Sequence, residues 1–468
     1  MTISIPEKPN LSQISVAVKT LKSHSFDPQK IITKDILLKS NFDQFLFLIG
    51  IASYEGKEFN LNLNHIKFYI NNVVKNNINI LLKLEIVLHK IFLKKYESEN
   101  TYNKFYNYIS SLYKIKRNKK NKFTKISSIL FYVPSPVLLA HTNPLFFMLK
   151  NRKNLSVQIV IASRGRNKNF EEKCLQTNVK YENIERNTDL ETIDNLANLS
   201  KNFDVTIWQS LPAHLSYFRT LNQNVCLWSH KFHPDIPDLL DYIGSFNDRK
   251  NRIYINNNFW KNLDVGFEIR NKNQKFKNWK ERRLKFGSFC REELINDEFF
   301  WKAVKTIIQE NQGSKFYYCG KKPIHDKWCR ELQIKKNNIV FLGWLDEPHL
   351  KLKDMSFLID GFSLGHGYMA LEAMAASIPI IFPKNRKAYG TLENYLEKTI
   401  NLFNVTNKKE YRDKYLISFS NEDQLINYSK KLFNEQEFNN FYGLHYASII
   451  SKLRNDNFEK FVEIITEK

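Results

Sequence analysis

The spacing of apolar residues changes near residue 126, and this change is the main organising signal of the sequence. Before it, apolar residues recur every three or four positions with almost no Gly or Pro between them, a pattern typical of amphipathic helices. The clearest segments are "FDQFLFLIGIASYEG", "LNHIKFYINNVVKNNINILLKLEIVLHKIFLKKY" and "YNKFYNYISSLYKI". The pattern predicts an α-helical N-terminal domain over residues 1–122.

The basic run "KIKRNKKNKFTK", residues 114–125, separates the two patterns and predicts an exposed linker. A nucleic-acid-binding arm is the alternative. Such arms interleave aromatic side chains with their charges, and this run contains only Phe123. Nucleic acid is therefore not predicted as a partner, and the run marks a domain boundary.

After residue 126, short runs of apolar, β-branched and aromatic residues alternate with helical or loop segments, which favours parallel sheets built from strand–helix units. A first series of predicted strands covers residues 127–133, 157–163, 204–210, 224–230 and 241–246. A second series covers residues 284–289, 315–320, 338–343, 356–361 and 378–383. The sequence thus predicts an α/β protein with two Rossmann-like domains, 123–270 and 271–468, after the helical one.

The segment "SLGHGYMALEAMAASIPIIF", residues 363–382, follows a predicted strand and contains a predicted helix from Tyr368 to Ala376. Ligands of such sheets bind beyond the carboxyl ends of the strands, and the free N–H groups at a helix start suit a diphosphate. His366 would stand at this opening, and Glu372 lies on an otherwise apolar face that makes a carboxylate costly without a partner. The alternative is ordinary strand–loop–helix packing in which the glutamate reaches solvent.

The same segment resembles the donor helix of GT-B glycosyltransferases, in which a Gly precedes Glu-Ala-Met-Ala and a Pro ends the run. The matching positions are Gly367, Glu372, Ala373, Met374, Ala375 and Pro379. The resemblance covers residues 284–383 and implies two Rossmann-like domains that face a cleft and bind a nucleotide-sugar. Many retaining members carry a second Glu where this chain has Leu364, and a Lys near the position of Arg291.

The O-GlcNAc transferases and bacterial cytoplasmic protein glucosyltransferases form the subgroup that the chain resembles more. They place a helical region before the two domains and have an "F-x-S-F" run like residues 286–289. The resemblance implies a catalytic His141 and a donor site formed by Arg291, His349, Gly365, His366, Gly367, Tyr368 and Glu372. The Thr pair that follows Gly-His in this subgroup is replaced here by Gly367 and Tyr368.

Two loops after strands of the first domain carry further candidates for acceptor-binding or cleft-lining residues: Gln209, His214, Trp228, Lys231 and His233. An indole with cationic neighbours suits sugar stacking or phosphate contact. Two histidines three positions apart are also compatible with a metal, but no third ligand is evident and the chain lacks an acidic DxD pair. We therefore expect no metal and no other cofactor.

The formal net charge of +23 makes phosphorylated substrates and anionic surfaces plausible partners, although AT-rich codon usage would also enrich Lys. Five scattered cysteines without a CxxC pair are typical of a reducing cytoplasm. No apolar run reaches the roughly 18 residues needed to span a bilayer, and the N-terminus has no signal core. We expect a cytoplasmic protein, and contact of its basic patches with a membrane surface stays open.

Together these features predict a glycosyltransferase that moves a sugar from a nucleotide-sugar donor, UDP-linked, to a protein or glycan acceptor. On this interpretation domain 123–270 binds the acceptor and domain 271–468 the donor. Two alternatives are a degenerate GT-B protein that acts as a basic binding module, and a sugar-nucleotide epimerase or phosphorylase. Loss of the second Glu at the Leu364 position keeps the first alternative open.

Overall fold

The structure is a computed structural model of the 468-residue chain. It describes residues 17, 33–55, 58–59, 63–92, 108–113, 125–138, 142–209, 213–229, 242–244, 254–255, 258–262, 279–290, 292–345, 348–362, 367–384, 392, 396, 400, 405–452 and 457–466. The chain divides into two compact units: unit 1 is Met1–Gly266 with Asp456–Lys468, and unit 2 is Phe267–Asn455. The helical region therefore forms one unit with the first α/β region.

The N-terminal part of unit 1 is helical where it is described, with α1 Lys34–Lys39, α2 Phe42–Ser53, α3 Leu63–Tyr69, a π-helical turn Ile70–Val74, and α4 Ile78–Phe92. Between α2 and α3 lies a short antiparallel hairpin, β1 Tyr54–Glu55 and β2 Glu58–Phe59, which helical periodicity did not predict. The apolar faces of these helices pack together, and the rings of Phe45 and Tyr69 stack with centroids 3.7 Å apart.

The first large sheet has eight strands in the order β5-β4-β3-β6-β7-β8-β10-β9. Their bounds are β3 Ser128–Val133, β4 Gln158–Ser163, β5 Lys180–Asn183, β6 Val205–Gln209, β7 Val225–Ser229, β8 Tyr242–Gly244, β9 Tyr254–Ile255 and β10 Asn258–Asn262. All neighbours are parallel except β9 and β10. The five predicted strands are β3, β4, β6, β7 and β8. Sequence periodicity missed β5 because this edge strand, "KYEN", contains no apolar run.

Four helices accompany these strands: α5 Asn143–Lys150, α6 Lys168–Gln176, α7 Asp189–Ser200 and α8 Leu215–Leu221. The start of α7 is fixed by a capping box, in which Thr188 accepts from the Glu191 N–H and the Glu191 carboxylate accepts from the Thr188 N–H. The start of α6 is fixed by Asn167, whose side chain accepts from the Phe170 N–H. Local polar residues therefore define where helices begin between the apolar strands.

Unit 2 contains a six-stranded parallel sheet in the order β13-β12-β11-β14-β15-β16. The strands are β11 Lys285–Ser288, β12 Lys315–Tyr318, β13 Ile339–Phe341, β14 Phe357–Ile359, β15 Ile380–Pro383 and β16 Ile417–Phe419. The first five were predicted from the sequence, whereas the three-residue strand β16 was not. In the first large sheet β3 is central, with β4 and β5 on one side and β6 on the other. In the second, β11 is central, with β12 and β13 on one side and β14 on the other. This is the Rossmann strand order.

The helices of unit 2 are α9 Trp279–Arg282, α10 Glu292–Ile295, α11 Glu298–Glu310, α12 His325–Leu332, α13 His349–Leu352, α14 Tyr368–Ala375, α15 Lys408–Tyr415, α16 Glu422–Asn434 and α17 Gln436–Lys452. A 3₁₀ turn, Lys336–Asn338, precedes β13. Helix α14 packs against α17. The contact is very close, because a Cβ atom at Gly443 would lie 2.2 Å from the carbonyl oxygen of Ser377, just after α14.

The last helix, α18 Phe458–Thr466, belongs to unit 1, although the sequence boundaries grouped it with the second α/β domain. Its Phe461 ring packs between Phe131 of β3 and Trp228 of β7, with a centroid distance of 5.6 Å to each. The Glu459 carboxylate accepts the backbone N–H groups of Lys153 and Asn154 at 2.7 and 2.8 Å. The buried Phe461 ring and the hydrogen bonds to Glu459 together attach α18 to the first α/β region.

Among the described residues, no helix combines the length and the apolar composition needed to cross a membrane. The fold class predicted from the sequence, α/β with two parallel sheets, is confirmed.

Candidate functional site

The carboxyl edge of the second sheet is the first place to search for a site, because ligands of doubly wound sheets bind where the strand order reverses. In unit 2 this switch point lies between β11 and β14. β11 ends at Ser288, two residues before Cys290, and Asp360 directly follows β14. Both segments lie at the same edge because the strands are parallel. The structure thus brings two polar strand ends together at the point that topology favours.

Two fully buried carboxylates belong to this edge. Asp360, directly after β14, and Glu372, in α14, each have 0% exposed surface. The Gly361 N–H donates to Asp360 Oδ1 at 3.0 Å, and both carboxylates have further partners within the protein. Burying a carboxylate costs several kcal/mol unless hydrogen bonds or charges compensate, so such positions are usually functional or firmly paired.

The amino terminus of α14 points to an anion site. Gly367 precedes the helix with φ 59° and ψ −127°, a conformation that is unfavourable for residues with a Cβ. Among the described residues, no side chain caps this end, and none has an atom within 4 Å of a Cβ atom placed at Gly367. The Ala370 N–H donates to the Gly367 carbonyl at 3.1 Å, and the dipole of the eight-residue helix favours a negative group at this end.

The inner face of α14 explains why the helix forms there. Ala370, Leu371, Ala373 and Met374 are buried against the unit 2 core, and only Glu372 interrupts their apolar surface. Helix α13, with the buried His349 at its start, packs against α14. His349 and Glu372, both selected from the sequence, therefore lie on two neighbouring helices.

Cys290 borders the switch point as a neutral thiol. Burial, with a smaller contribution from the charge of Asp360, raises the pKa of Cys290 to about 12. Ser288 Oγ lies 3.4 Å from its sulfur, and both side chains are buried. A thiol in this state is a poor nucleophile at neutral pH, so Cys290 contributes shape and polarity to the edge rather than covalent chemistry.

Two lysines extend the edge toward β12 and β13. Lys321 and Lys322 follow β12 and are exposed. The Gly320 N–H donates to the Gly343 carbonyl at 3.0 Å, and the Lys321 N–H donates to Glu292 Oε1 at 3.1 Å. The lysine loop is thus held by one backbone–backbone hydrogen bond and by one to the Glu292 carboxylate, and its two ammonium groups add positive charge to the edge.

The donor residues selected from the sequence fall into two groups. The structure places His349, Gly367 and Glu372 in the α13–α14 region just described. Arg291, Gly365 and His366 lie outside the described residues, and only the backbone of Tyr368 is described. Sequence reasoning did not select Asp360, which is buried at this edge. The signal was present, since "SFLIDG" puts an acid directly after a short apolar strand.

In unit 1, Gln209 ends β6 at the switch point of the first sheet and is fully buried. The candidate base His141 and the loop residues Lys231 and His233 lie outside the described residues, so their placement remains a prediction.

Trp228 and His214 differ from the sequence interpretation as lining residues. Trp228 has 0% exposed surface and packs edge-to-face on Phe131, because its strand faces the core on that side. Its ring is therefore not a surface for sugar stacking. His214 is also buried, with Nε2 2.9 Å from the Leu82 carbonyl, so it joins α8 to α4.

No group of three or more His, Cys, Asp or Glu suited to a metal ion occurs within the part of the chain that the structure describes.

Residues 283–412 match the family model described as "Glycosyl transferases group 1". This segment contains β11, α14 and the whole candidate edge. It covers less than a third of the chain, and no curated protein matches the sequence significantly.

Solved structures extend the likeness to the whole fold. A point mutant of the O-GlcNAc transferase of Thermobaculum terrenum superposes with a TM-score of 0.57 at 9% identity, covering 97% of this chain and 88% of that one. A glycosyltransferase of Rickettsia africae gives 0.52 at 14% identity, covering 74% and 99%. The Anabaena protein HepE in complex with UDP gives 0.52 at 12% identity, covering 73% and 97%. The chain has the GT-B fold, as its sequence predicted.

Proposed function

We propose that the protein is a glycosyltransferase that transfers a sugar from a UDP-linked donor to a protein or glycan acceptor. The observation that carries the proposal is the edge of unit 2, where an uncapped helix start follows Gly367 and precedes the buried Glu372. The segment that forms this edge matches a glycosyltransferase family model. A neighbour of the same fold was solved with UDP, which supports a uridine nucleotide as the ligand.

In this proposal the donor lies along the carboxyl edge of the second sheet. The N–H groups at the start of α14 bind the diphosphate, together with Lys321 and Lys322. The Glu372 carboxylate accepts hydrogen bonds from the ribose hydroxyls in addition to its partners within the protein. His349 donates to the leaving group from the neighbouring helix. His366, Gly365 and Arg291 complete the phosphate contacts as the family resemblance implies.

The transfer step forms a bond between an acceptor oxygen or nitrogen and the sugar C1 atom. The bond from C1 to the diphosphate oxygen breaks, and UDP leaves with the electron pair. The acceptor proton passes to a base, for which His141 is the candidate, or to the departing phosphate. Charge that develops on the diphosphate is stabilised by groups already in place, which is the largest catalytic demand of such a step.

We propose that the reaction uses these helix and lysine charges instead of a bound metal, and that the protein acts in the cytoplasm. The formal net charge of +23 supports contact of basic patches with anionic partners, including a membrane surface. Unit 1 with its helical region would present the acceptor.

A donor screen tests the proposal. Purified wild-type protein and the Glu372→Ala variant are incubated with UDP-sugars and an acceptor lysate, and sugar-sized mass additions are measured by mass spectrometry. The proposal expects transfer by the wild type and a loss of about 100-fold or more in the variant, as for removal of a buried hydrogen-bonding group in a site. Equal transfer by both proteins would remove Glu372 from the site.

Calorimetry with UDP separates the main alternative. A degenerate GT-B binding module would show neither transfer nor UDP binding at millimolar ligand. Sugar release from UDP-glucose that does not depend on an acceptor would instead favour the epimerase or phosphorylase alternative.

A further inference from the structure

The segments that lead into the first four strands of the first sheet carry mostly positive charge. Because β3, β4, β5 and β6 are parallel, these segments meet at one edge of the sheet, which we call the amino edge. It comprises residues 125–127, 150–157, 176–179 and 201–204. Its basic side chains are those of Lys125, Lys150, Arg152, Lys153 and Lys201, and its one acid is Asp204.

The acid of the amino edge is already engaged by the backbone. The Asp204 carboxylate accepts the N–H and the hydroxyl of Ser127 at 2.7 and 2.8 Å, and the Ser128 N–H at 2.9 Å. Lys125 is also the last residue of the basic run 114–125, which contains seven Lys or Arg and no acid. The amino edge is therefore a positive surface, and the sequence that precedes it adds further positive charge.

Two leucines are exposed beside these charges. Leu155 is 69% exposed, and Leu175, near the end of α6, is 76% exposed. Two hydrogen bonds connect their segments, since Arg152 Nη2 donates to the Asn178 carbonyl at 2.8 Å and the Asn178 N–H donates to the Leu175 carbonyl at 2.9 Å. Single exposed apolar residues are normal on protein surfaces, but two of them at one basic edge form an amphipathic surface.

The loop that carries Leu155 is fixed by hydrogen bonds on both sides of this residue. Before it, the Glu459 carboxylate accepts the backbone N–H groups of Lys153 and Asn154. After it, the N–H and the hydroxyl of Ser156 donate to Asn154 Oδ1 at 3.0 and 2.6 Å. Leu155 is therefore held in solvent by the fold, and its side chain is preorganised for contact with another surface.

The chemistry of the amino edge favours a lipid bilayer as the partner. Anionic headgroups attract Lys and Arg near the membrane surface, and the interface below them accepts apolar side chains such as leucine. Nucleic acid offers the same phosphate charge, but proteins that bind its single strands stack the bases on aromatic side chains. The aromatic residue of these four segments, Phe203, is buried.

We propose that the amino edge, together with Leu175, is a docking surface for an anionic lipid bilayer. The two leucine side chains enter the membrane interface, and the lysines meet the lipid phosphates. The inference goes beyond the general contact with anionic partners suggested by the net charge, because it assigns that contact to one surface. It does not depend on donor binding, since the amino edge belongs to unit 1 and the proposed donor site to unit 2.

Co-sedimentation with vesicles, without UDP, tests the role of the leucines. The vesicles consist of phosphatidylcholine with or without phosphatidylglycerol. The leucine variant combines Leu155→Asn with Leu175→Asn. Its control is Leu444→Asn, because Leu444 of α17 is also strongly exposed, at 65%, but lies in unit 2.

A second pair of variants tests the role of the charges. The charge variant combines Lys125→Gln with Lys153→Gln, both of which are exposed at the amino edge. Its control combines Lys408→Gln with Lys409→Gln, two exposed lysines of α15 in unit 2. The control makes the same change in net charge, so a difference between the two variants reports the position of the charge. Thermal midpoints show whether each variant is folded.

Wild type is expected to bind the vesicles that contain phosphatidylglycerol and not those of phosphatidylcholine alone. The leucine variant should bind about tenfold more weakly, because less apolar surface enters the membrane interface. The charge variant should also bind about tenfold more weakly, and added salt should weaken its binding less than that of wild type. Both controls should bind like wild type, and all the proteins should bind UDP with equal affinity.

Several results would overturn the inference. The first is that wild type does not bind the anionic vesicles, and the second is that the leucine variant binds them as tightly as wild type does. Binding of wild type to a mixed-sequence oligonucleotide but not to vesicles would make the edge a nucleic-acid surface. A wild-type dimer that the leucine variant cannot form, without vesicle binding, would make it an interface between copies. Failure of all the proteins to bind UDP would instead overturn the proposed function alone.

Discussion

The two sheets of the molecule share a strand order but use the polar residues at their carboxyl edges in different ways. In unit 2 the helix after the fourth strand starts at Gly367, and no described side chain caps it. In unit 1 the helix after the fourth strand, α8, starts at His214, which is buried and bonded to the Leu82 carbonyl. The described residues place no side-chain cap on the first helix start, whereas the second is joined to the helical region of its own unit through His214.

The difference shows that Rossmann topology alone does not designate a nucleotide site. Both switch points have buried polar residues, Gln209 in unit 1 and Asp360 in unit 2. Within the part of the chain that the structure describes, only unit 2 combines such a residue with a helix start that no side chain caps and a buried glutamate about one turn further. On this basis we assign the donor to unit 2, and the following predictions test the assignment.

The largest effect is expected in the core of unit 1. Phe461→Ala removes a ring that packs on Phe131 and Trp228, and should lower the free energy of unfolding by about 3–5 kcal/mol. UDP affinity measured below the unfolding transition should not change. A parallel loss of UDP affinity in the folded variant would contradict the separation of the two units in function.

The second prediction concerns the packing of α14 against α17. Gly443→Ala places a methyl group 2.2 Å from the Ser377 carbonyl, so α14 or α17 must move. Overpacking of this kind should cost about 1–3 kcal/mol of stability. It should also weaken UDP binding, because the shifted helix carries Glu372. An exposed control, Ser451→Ala on the same helix, should leave both quantities unchanged. Destabilisation of Gly443→Ala with wild-type UDP affinity would show that α14 is positioned by other contacts.

The third prediction tests the covered helix start of unit 1. His214→Ala removes the partner of the Leu82 carbonyl and should lower stability by about 1–3 kcal/mol. Because this histidine connects α8 to α4, sugar-donor affinity should be unaffected. If UDP affinity falls while the thermal midpoint stays the same, His214 belongs to a ligand site after all.

The smallest effect is a pH dependence at the amino end of the first sheet. Burial tends to raise the pKa of Asp204, but hydrogen bonds from Ser127 and Ser128 outweigh it, and the net pKa lies below the usual value. A carboxyl group whose pKa is lowered by folding stabilises the folded state at pH values above its unfolded pKa of about 3.9. This stabilisation is lost as the pH falls through the pKa of the folded state.

Asp204→Asn should therefore destabilise the protein by about 1 kcal/mol at neutral pH, and the difference from wild type should shrink below about pH 4. Urea midpoints of both proteins across this range provide the measurement. A difference that stays constant with pH would mean that the carboxylate charge does not matter there.

The sequence predicted the sheets better than the site. A continuous apolar run such as 128–133 is typical of a parallel strand that is buried on both faces, so strands of this kind were found from the pattern alone. Residues 180–183 and 417–419 were missed because such short or polar strands are formed by their neighbours in the sheet. Helix α18 was found, but its attachment to unit 1 depends on long-range contacts that no local pattern contains.

Gly367 and Glu372 stay predictions as site residues, drawn from a local motif that the structure places at the start of α14 and inside it. Trp228 was misread because a tryptophan beside cationic residues has the same sequence signature in a core strand as on a surface. Tyr318 and His325, whose side chains are hydrogen-bonded at 2.7 Å, have no signature in the sequence, because this contact arises from the geometry of the turn before α12.

Hydrogen exchange of the backbone amides with and without UDP tests the assignment of the donor to unit 2 most directly. We predict that UDP protects the start of α14, residues 367–372, and the lysine loop, residues 319–324, and that the same change is reduced in Glu372→Ala. The corresponding edge of unit 1, residues 133–138 and 213–217, should exchange at unchanged rates. Protection at the unit 1 edge, or none at residues 367–372 under saturating UDP, would contradict the account.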